Sequence, residues 1–336
     1  MSETGPMSEM ILCVNDLQVE FPVRDGIITA VRGVDLMVAP GEIIGLVGES
    51  GSGKSVFAKA LMRILPEPGR ICGGSVTFRG ENIATMSGEN LRALRGDRIA
   101  MIFQDPMATL NPVMRIDAQM IEAIRAHHRV SKSKARARCL EALQKVGIPS
   151  PEERLRAYPH QLSGGMRQRV AIATALLNKP DLILADEATT ALDVTIQAQI
   201  LYEARKLCEE TNTALVWVSH DLAVVSGIAD RIAVMYAGRI VEDGPTADVI
   251  SNPKHPYTRG LIQSVPEECD HGKALHQIPG LMPTPANLPK GCAFAPRCEH
   301  ADNICLLQDP LVSFDGRQSY RCHNPLNAAQ VQEMSS

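Results

Sequence analysis

The chain has 336 residues and a net charge of −4, from 34 basic and 38 acidic residues, and only 4% of it is aromatic. That length predicts about two domains, while the acidic balance and the scarcity of aromatic rings argue against a nucleic-acid-binding protein. No apolar run reaches the roughly 18 residues that a membrane-spanning helix needs. The opening MSETGPMSEM lacks a basic stretch followed by an apolar core, so we expect a cytosolic chain without a secretory signal.

Short apolar runs recur along the chain and predict strands that are buried on both faces of a mostly parallel sheet. These runs are Glu42–Val47, Arg98–Phe103, Asp181–Asp186, Thr213–Val218 and Arg231–Tyr236. Near the start, LQVEF and ITAVRGVDLMV favour antiparallel, half-exposed strands instead. Together these runs predict an α/β core with an antiparallel β subdomain.

The pattern changes between Arg115 and Gln161, where apolar residues follow helical spacing. In SKSKARARCLEALQKVGI, Ser131 or Ser133 can cap a helix and Gly147 can end it. We expect a helical insertion over about 105–165, inside a nucleotide-binding domain that covers 10–253. The proline-rich remainder, 254–330, predicts a small irregular extension.

GESGSGKS follows an apolar strand, opens the helix VFAKALMRIL, and fits the phosphate-binding pattern G-x-x-x-x-G-K-[ST]. Its glycines let backbone N–H groups curl around phosphates at a helix N-terminus. We expect Lys54 to reach the β- and γ-phosphates and the Ser55 hydroxyl to bind Mg²⁺. The expected nucleotide-binding residues here are Gly48, Ser50, Gly51, Ser52, Gly53, Lys54, Ser55 and Val56.

Two further motifs carry phosphate chemistry. LILADE ends an apolar strand with two acids, of which Asp186 suits a Mg²⁺ ligand and Glu187 a base that polarises the attacking water. LSGGMRQRV places Ser163, Gly164 and Gly165 before a helix, where their N–H groups and the serine hydroxyl can form a second anion site. An acidic strand end alone is a weak signal, and it gains weight from the phosphate loop.

These motifs, in this order, resemble the nucleotide-binding subunits of ATP-binding cassette (ABC) transporters, which have a RecA-like P-loop NTPase core. The resemblance implies that Gln104 in MIFQDP senses Mg²⁺ and water and faces the membrane partner. It implies that His220 contacts the γ-phosphate, Asp193 crosses a dimer interface and Phe21 stacks on adenine. The sequence departs from the family at Ala188, where proline is usual, and we expect activity to survive because no ligand atom is lost.

Within that family, MIFQDPMATLNPVMRI, HPYTRGLI and KGCAFAPRC resemble the ATPases of dipeptide, oligopeptide and nickel importers. The resemblance implies ATP hydrolysis at a dimer interface on the cytoplasmic face of the bacterial inner membrane. The implied partners are a second ATP-binding subunit, identical or different, two permease subunits and an extracytoplasmic solute-binding protein, with no nucleic acid. Peptide is the favoured solute, and nickel, opines and sugars stay open.

Two other classes of function are compatible with parts of the sequence. A soluble cassette ATPase of DNA repair, translation or iron–sulfur assembly is one, although the chain has neither a long coiled-coil insertion nor a second cassette. The other treats the tail as a metal-binding regulator and the ATPase as secondary. Co-purification with membrane subunits separates the transport interpretation from both.

The tail gathers four cysteines, Cys292, Cys298, Cys305 and Cys322, and we expect them to ligate one [4Fe–4S] cluster, for which four thiolates are the usual ligands. Their gaps exceed the C-x₂₋₄-C spacing common at structural zinc, which is the runner-up; free thiols are the third possibility. Spacing alone does not select iron, and the resemblance to peptide-importer ATPases carries much of that expectation. The other cysteines, expected to be packing residues or exposed thiols, are Cys13, Cys72, Cys139, Cys208 and Cys269.

Overall fold

The computed structural model describes residues 10–24, 26–188, 194–264 and 277–327. The strands there are, in chain order, β1 Leu12–Val23, β2 Gly26–Val38, β3 Ile43–Val47, β4 Arg70–Phe78, β5 Glu81–Asn82, β6 Ile99–Ile102, β7 Leu182–Asp186, β8 Ala214–Ser219, β9 Arg231–Tyr236, β10 Arg239–Pro245, β11 Ser313–Asp315 and β12 Gln318–Tyr320. The α-helices are α1 Lys54–Leu61, α2 Gly88–Leu94, α3 Pro106–Thr109, α4 Ile116–Arg125, α5 Lys132–Lys145, α6 Pro151–Leu155, α7 Gly164–Leu176, α8 Val194–Thr211, α9 Leu222–Ser226, α10 Thr246–Ser251, α11 Pro256–Gln263 and α12 Asn303–Leu307.

The described residues fall into two compact units. The first is drawn from 1–38, 44–84 and 219–336, and the second from 39–43 and 85–218. The phosphate-loop motif and the tail cysteines therefore belong to the first unit, whereas LILADE and LSGGMRQRV belong to the second.

In the first unit, an antiparallel sheet has the order β2-β1-β4-β5. Strand β1 lies between β2 and β4, since Leu12 pairs with Val38 of β2 and with Phe78 of β4. Leu17 and Val19 on β1 are fully buried while Gln18 between them is only half-buried, as expected for one covered face of an antiparallel sheet. The predicted antiparallel subdomain is confirmed.

The same unit also contains a mixed set of strands. Strand β3, buried at every position, runs parallel to β9, and β10 then turns back antiparallel to β9. The short hairpin β11–β12 adds to the edge of β10. Part of the predicted irregular extension therefore forms a β-hairpin, because two three-residue strands are too short to leave a readable alternation in the sequence.

In the second unit, β6, β7 and β8 run parallel, with Ile99 opposite Leu182 and Leu182 opposite Ala214. Every residue of β7 is buried, which explains its continuous apolar sequence. Helices α3 to α6 occupy the predicted insertion. Helix α5 begins as expected, because the Ser131 hydroxyl accepts a hydrogen bond from the Lys134 N–H at 3.3 Å.

No helix in the part of the chain that the structure describes combines the length and apolar character of a membrane span. The α/β class, with mixed sheets and a helical insertion, agrees with the sequence prediction.

Candidate nucleotide site and cysteine cavity

The phosphate-binding loop lies between the end of β3 and the start of α1. Gly48 has φ +152° and Gly53 has φ +104°. A Cβ atom at Gly48 would lie 2.2 Å from the Met235 carbonyl oxygen, and one at Gly53 would lie 2.6 Å from that of Ala30. Only glycine fits both positions, so the spacing of the motif reflects close backbone packing as well as the loop's curvature.

Lys54 is buried and its ammonium sits within this loop. Its Nζ donates hydrogen bonds to the carbonyl oxygens of Gly48 at 2.7 Å and Glu49 at 2.8 Å, and to Ser52 Oγ at 3.3 Å. A cation held by the loop's own backbone, next to the first turn of a helix, supplies the positive field that polyphosphate binding requires. Ser55 and Val56 are half-buried, and Ser50 and Gly51 are exposed.

The first unit also contains two other residues predicted to contact the nucleotide, Phe21 and His220. Phe21 is half-buried on β1, with its ring against Gly69, where an added Cβ would meet Phe21 Cε1 at 2.4 Å. His220 is exposed and directly follows β8. Their roles toward adenine and the γ-phosphate stay predictions.

In the second unit, the structure brings Gln104 and Glu187 together. Gln104 Nε2 donates a 2.8 Å hydrogen bond to Glu187 Oε2. Asp186 is the last residue of β7 and is buried, and Glu187 follows it with φ +47° while its N–H donates to the Val218 carbonyl at 3.0 Å. A non-glycine residue with positive φ is uncommon and concentrates at functional sites. This backbone orients the Glu187 carboxylate toward Gln104.

The LSGG segment begins helix α7. Ser163 is its N-cap, and the Ser163 hydroxyl accepts from the Met166 N–H at 3.3 Å. Ser163 and Gly164 are exposed and Gly165 is half-buried, so the first turn of the helix is accessible to an anion. Asp193 lies outside the described residues.

The tail cysteines Cys292, Cys298, Cys305 and Cys322 line one small cavity of the first unit. Burial raises the pKa of all four thiols, to about 11 for Cys298 and about 12 for Cys322. Over the described ranges, no group of three or more His, Cys, Asp or Glu side chains has the arrangement of a metal site. The four predicted cluster ligands line this one cavity, but the described residues give no support for the predicted metal-binding extension.

Sequence reasoning missed His255, which lines the same cavity. Its Nδ1 accepts a hydrogen bond from the Tyr257 N–H at 3.0 Å, which leaves the proton of the neutral ring on Nε2. That Nε2 is buried without a hydrogen-bond partner, and burial lowers the pKa of His255 to about 3. The available signal was the motif HPYTRGLI, which begins at His255. It indicated a resemblance to peptide-importer ATPases but gave the histidine no role.

The fold and these sites define an ATPase of the ABC class. The profile of the family "ABC transporter" matches residues 31–190, and that of "Oligopeptide/dipeptide transporter, C-terminal region" matches residues 241–305. The chain hydrolyses ATP to power transport, as the sequence predicted.

The chain belongs to the ATP-binding proteins of dipeptide and oligopeptide ABC transporters. It is 47% identical to the oligopeptide transport ATP-binding protein OppD of Salmonella typhimurium, over 97% of this chain and 98% of that protein. It is 44% identical to the dipeptide transport ATP-binding protein DppD of Escherichia coli, over 95% of this chain and 98% of that one.

Solved structures of other ABC cassettes have a similar fold. The ATP-binding cassette MJ0796, in a post-hydrolysis dimer bound to ADP and Pi, matches with a TM-score of 0.64 and 29% identity, over 70% of this chain and 98% of that one. CbiO1 of Clostridium perfringens, part of the transporter complex cbiONQ, matches with a TM-score of 0.62 and 26% identity, over 72% and 90%.

Proposed function

We propose that this ATPase powers the uptake of di- and oligopeptides, with Glu187 as the general base of hydrolysis. The observation that carries the assignment is the hydrogen bond between Gln104 and Glu187 at the end of a buried parallel strand. A base must be aimed at the water that it deprotonates, and the Gln104 amide fixes the position of the Glu187 carboxylate through this hydrogen bond. Peptide as the solute is supported by the names of the OppD and DppD relatives.

In this proposal the phosphate loop binds ATP, and the Lys54 ammonium contacts the β- and γ-phosphates. Glu187 takes a proton from water as the water oxygen attacks the γ-phosphorus, and the bond from that phosphorus to the ADP oxygen breaks. His220 contacts the γ-phosphate. Charge on the phosphate oxygens grows along this path, so fixed cationic groups such as the Lys54 ammonium stabilise the transition state.

Ser55, Asp186 and Gln104 are the residues that would hold Mg²⁺. Hydroxyl, carboxylate and amide oxygens are the kinds of ligand that this hard cation prefers. When bound, Mg²⁺ neutralises phosphate charge during transfer.

We propose that the LSGG segment and Asp193 of this chain contact a second ATP-binding subunit. ABC cassettes form dimers, and the MJ0796 structure is a dimer with ADP and Pi. The accessible N-terminal turn of α7 offers N–H groups and the Ser163 hydroxyl to a nucleotide held by the facing subunit. The remaining partners of the proposed complex are two permeases and a solute-binding protein, at the cytoplasmic face of the inner membrane.

The transport proposal is tested by purifying the tagged chain from membranes in mild detergent and identifying what accompanies it. Permease subunits should co-purify, and in vesicles a peptide-loaded binding protein should stimulate ATP hydrolysis several-fold over the unloaded one. Nickel-dependent stimulation with no response to peptides would replace the solute. A chain that never co-purifies with membrane proteins would favour the soluble cassette ATPase.

We further propose that the cysteine cavity holds a [4Fe–4S] cluster through Cys292, Cys298, Cys305 and Cys322. Support comes from the convergence of four thiols on one cavity and from the unpartnered His255 Nε2–H beside them. A buried donor without a partner is costly, and cluster sulfur is an acceptor that would satisfy it. A bound metal centre would also stabilise the thiolate form of the four cysteines, which burial alone disfavours.

Anaerobic purification should give a brown protein that absorbs near roughly 400 nm, with about four irons per chain. Cys298→Ser should remove the colour, while Cys72→Ser, at an exposed cysteine of β4, should keep it. A colourless anaerobic preparation with one zinc per chain would replace the cluster by zinc. A metal-free preparation with four titratable tail thiols would leave them as free cysteines.

A further inference from the structure

The phosphate-binding loop is held from outside by the cysteine-bearing tail. Arg297 lies in a single 3₁₀ turn, Ala295–Arg297, just before Cys298. Its guanidinium makes a bidentate ion pair with Glu49, the second residue of the loop motif: Nη1 to Oε2 at 2.7 Å and Nη2 to Oε1 at 3.0 Å. Two residues remote in sequence are thereby fixed to each other.

Several other contacts also fix the position of the Arg297 side chain. Its side chain is 4% exposed, its Nε donates to the Pro279 carbonyl at 2.8 Å, and its Nη1 also reaches the Tyr236 hydroxyl at 3.3 Å. Its guanidinium lies 5.9 Å from the ring centroids of Tyr236 and Phe294. A planar, rigid donor fork in such surroundings fixes the direction as well as the charge of its partner.

The backbone of the loop is tied to the same cluster. The Glu49 N–H donates to the hydroxyl of buried Tyr257 at 2.8 Å. The Tyr257 ring packs against Tyr236 and Phe294, with centroids 4.6 Å and 5.4 Å away. Glu49 is therefore held by its side chain through Arg297 and by its main chain through Tyr257.

These contacts act on the atoms that hold Lys54. The Glu49 carbonyl accepts one of the hydrogen bonds from Lys54 Nζ, so a rotation of the Glu49 peptide would move that acceptor. Met282 of the tail also lies beside the loop, since a Cβ added at Gly51 would lie 3.1 Å from Met282 Cε. The support reaches the loop at Glu49 and Gly51, both ahead of the lysine.

We propose that Arg297 is a positioning residue of the nucleotide site, which holds the phosphate-binding loop through Glu49 and makes its geometry depend on the folded tail. This rests on the proposal that the loop binds ATP. Arg297 does not touch the nucleotide in this account, so its loss should weaken ATP binding without removing the groups that make the contact. It follows that unfolding of the cysteine segment would displace Arg297, which precedes Cys298, and would thereby weaken ATP binding.

The test is a double-mutant cycle on the full-length chain, with equilibrium binding of Mg²⁺-ATP as the readout. Arg297→Gln and Glu49→Gln should each raise the Kd about tenfold, within the range usual for coupling between sites. The double variant should be no weaker than either single variant, because both remove the same ion pair. Arg297→Lys, which keeps the charge but not the fork, should recover only part of the affinity.

The matched control is Arg317→Gln, which breaks another ion pair of the tail, the exposed 3.0 Å contact with Asp248, and should leave the Kd unchanged. Hydrogen exchange gives a second readout: amides of the 48–53 loop should exchange faster in Arg297→Gln than in Arg317→Gln. If Arg297→Gln fails to fold, Glu49→Gln carries the test from the loop side.

Lys54→Ala separates the two proposals. If Lys54→Ala loses ATP binding while Arg297→Gln and Glu49→Gln bind like the wild type, the positioning role is wrong and the ATP site stands. Effects of the two single variants that multiply in the double variant would also overturn the positioning role. If Lys54→Ala itself binds normally, the assignment of the loop fails.

Discussion

The phosphate-binding loop and the cysteine cavity lie in the same unit but are encoded in opposite ways. The loop's chemistry is contained in one run, Gly48–Ser55, and Lys54 is satisfied by carbonyl and hydroxyl groups of that run. The cavity is lined by cysteines from Cys292 to Cys322 and by His255, the N-cap of α11, which lies further back in the chain. A local motif can be recognised from its spacing, whereas a dispersed site depends on the fold that assembles it.

The Glu187 prediction has the largest expected effect and concerns the chemistry that the loop serves. Glu187→Gln should lower steady-state ATP hydrolysis by on the order of 10²–10⁴, the usual contribution of a general base, and leave ATP binding intact. Because the glutamine retains an oxygen for Gln104, the local hydrogen bond can survive. Hydrolysis and binding are measured on one preparation, with Glu210→Gln on α8 as control. Full turnover in Glu187→Gln would remove this residue from catalysis.

The second prediction concerns the buried Glu242, which fixes the start of the tail by accepting hydrogen bonds from the Lys254 N–H at 2.7 Å and the His255 N–H at 2.9 Å. Burial raises the pKa of Glu242 from 4.5 to about 7. The folded state therefore retains a proton that the unfolded state releases. This stabilising contribution is full below pH 4.5 and is lost as the pH rises to about 7.

Glu242→Gln should remove that dependence. The difference in unfolding free energy between wild type and variant should change by on the order of 3 kcal/mol between pH 4.5 and 7, with wild type losing stability as the pH rises. Urea unfolding at a series of pH values measures it. Parallel curves for the two proteins across this window would show that Glu242 does not titrate there.

The third prediction compares Lys54, which lies within the loop, with Tyr257, which holds the loop from outside. Tyr257→Phe removes the acceptor of the Glu49 N–H but keeps the ring in its aromatic cluster. One neutral hydrogen bond contributes about 1 kcal/mol, so the Kd for ATP should rise by a factor of about five. Tyr202→Phe, at an exposed position of α8, is the control. A larger loss than in Lys54→Ala would mean that the tail, not the lysine, dominates binding.

What the sequence predicted well was local or strongly patterned. The apolar run at β7, the cap at Ser131 and the glycines of the loop each leave a signal within a few residues. The sequence indicated separate roles for Gln104 and Glu187 but did not predict the hydrogen bond between them, because the two residues are far apart in the chain. The Arg297–Glu49 pair and the role of His255 were invisible, since a buried arginine or histidine looks like a surface one until its surroundings are known.

The most direct test of the whole account is the equilibrium binding of Mg²⁺-ATP to the purified chain and to Lys54→Ala, measured by calorimetry. Lysine donates charge-assisted hydrogen bonds to phosphate, so the variant should bind about 100-fold more weakly while Lys59→Ala, on the same helix, binds like the wild type. Equal affinity of Lys54→Ala and wild type would contradict the assignment of this loop as the nucleotide site.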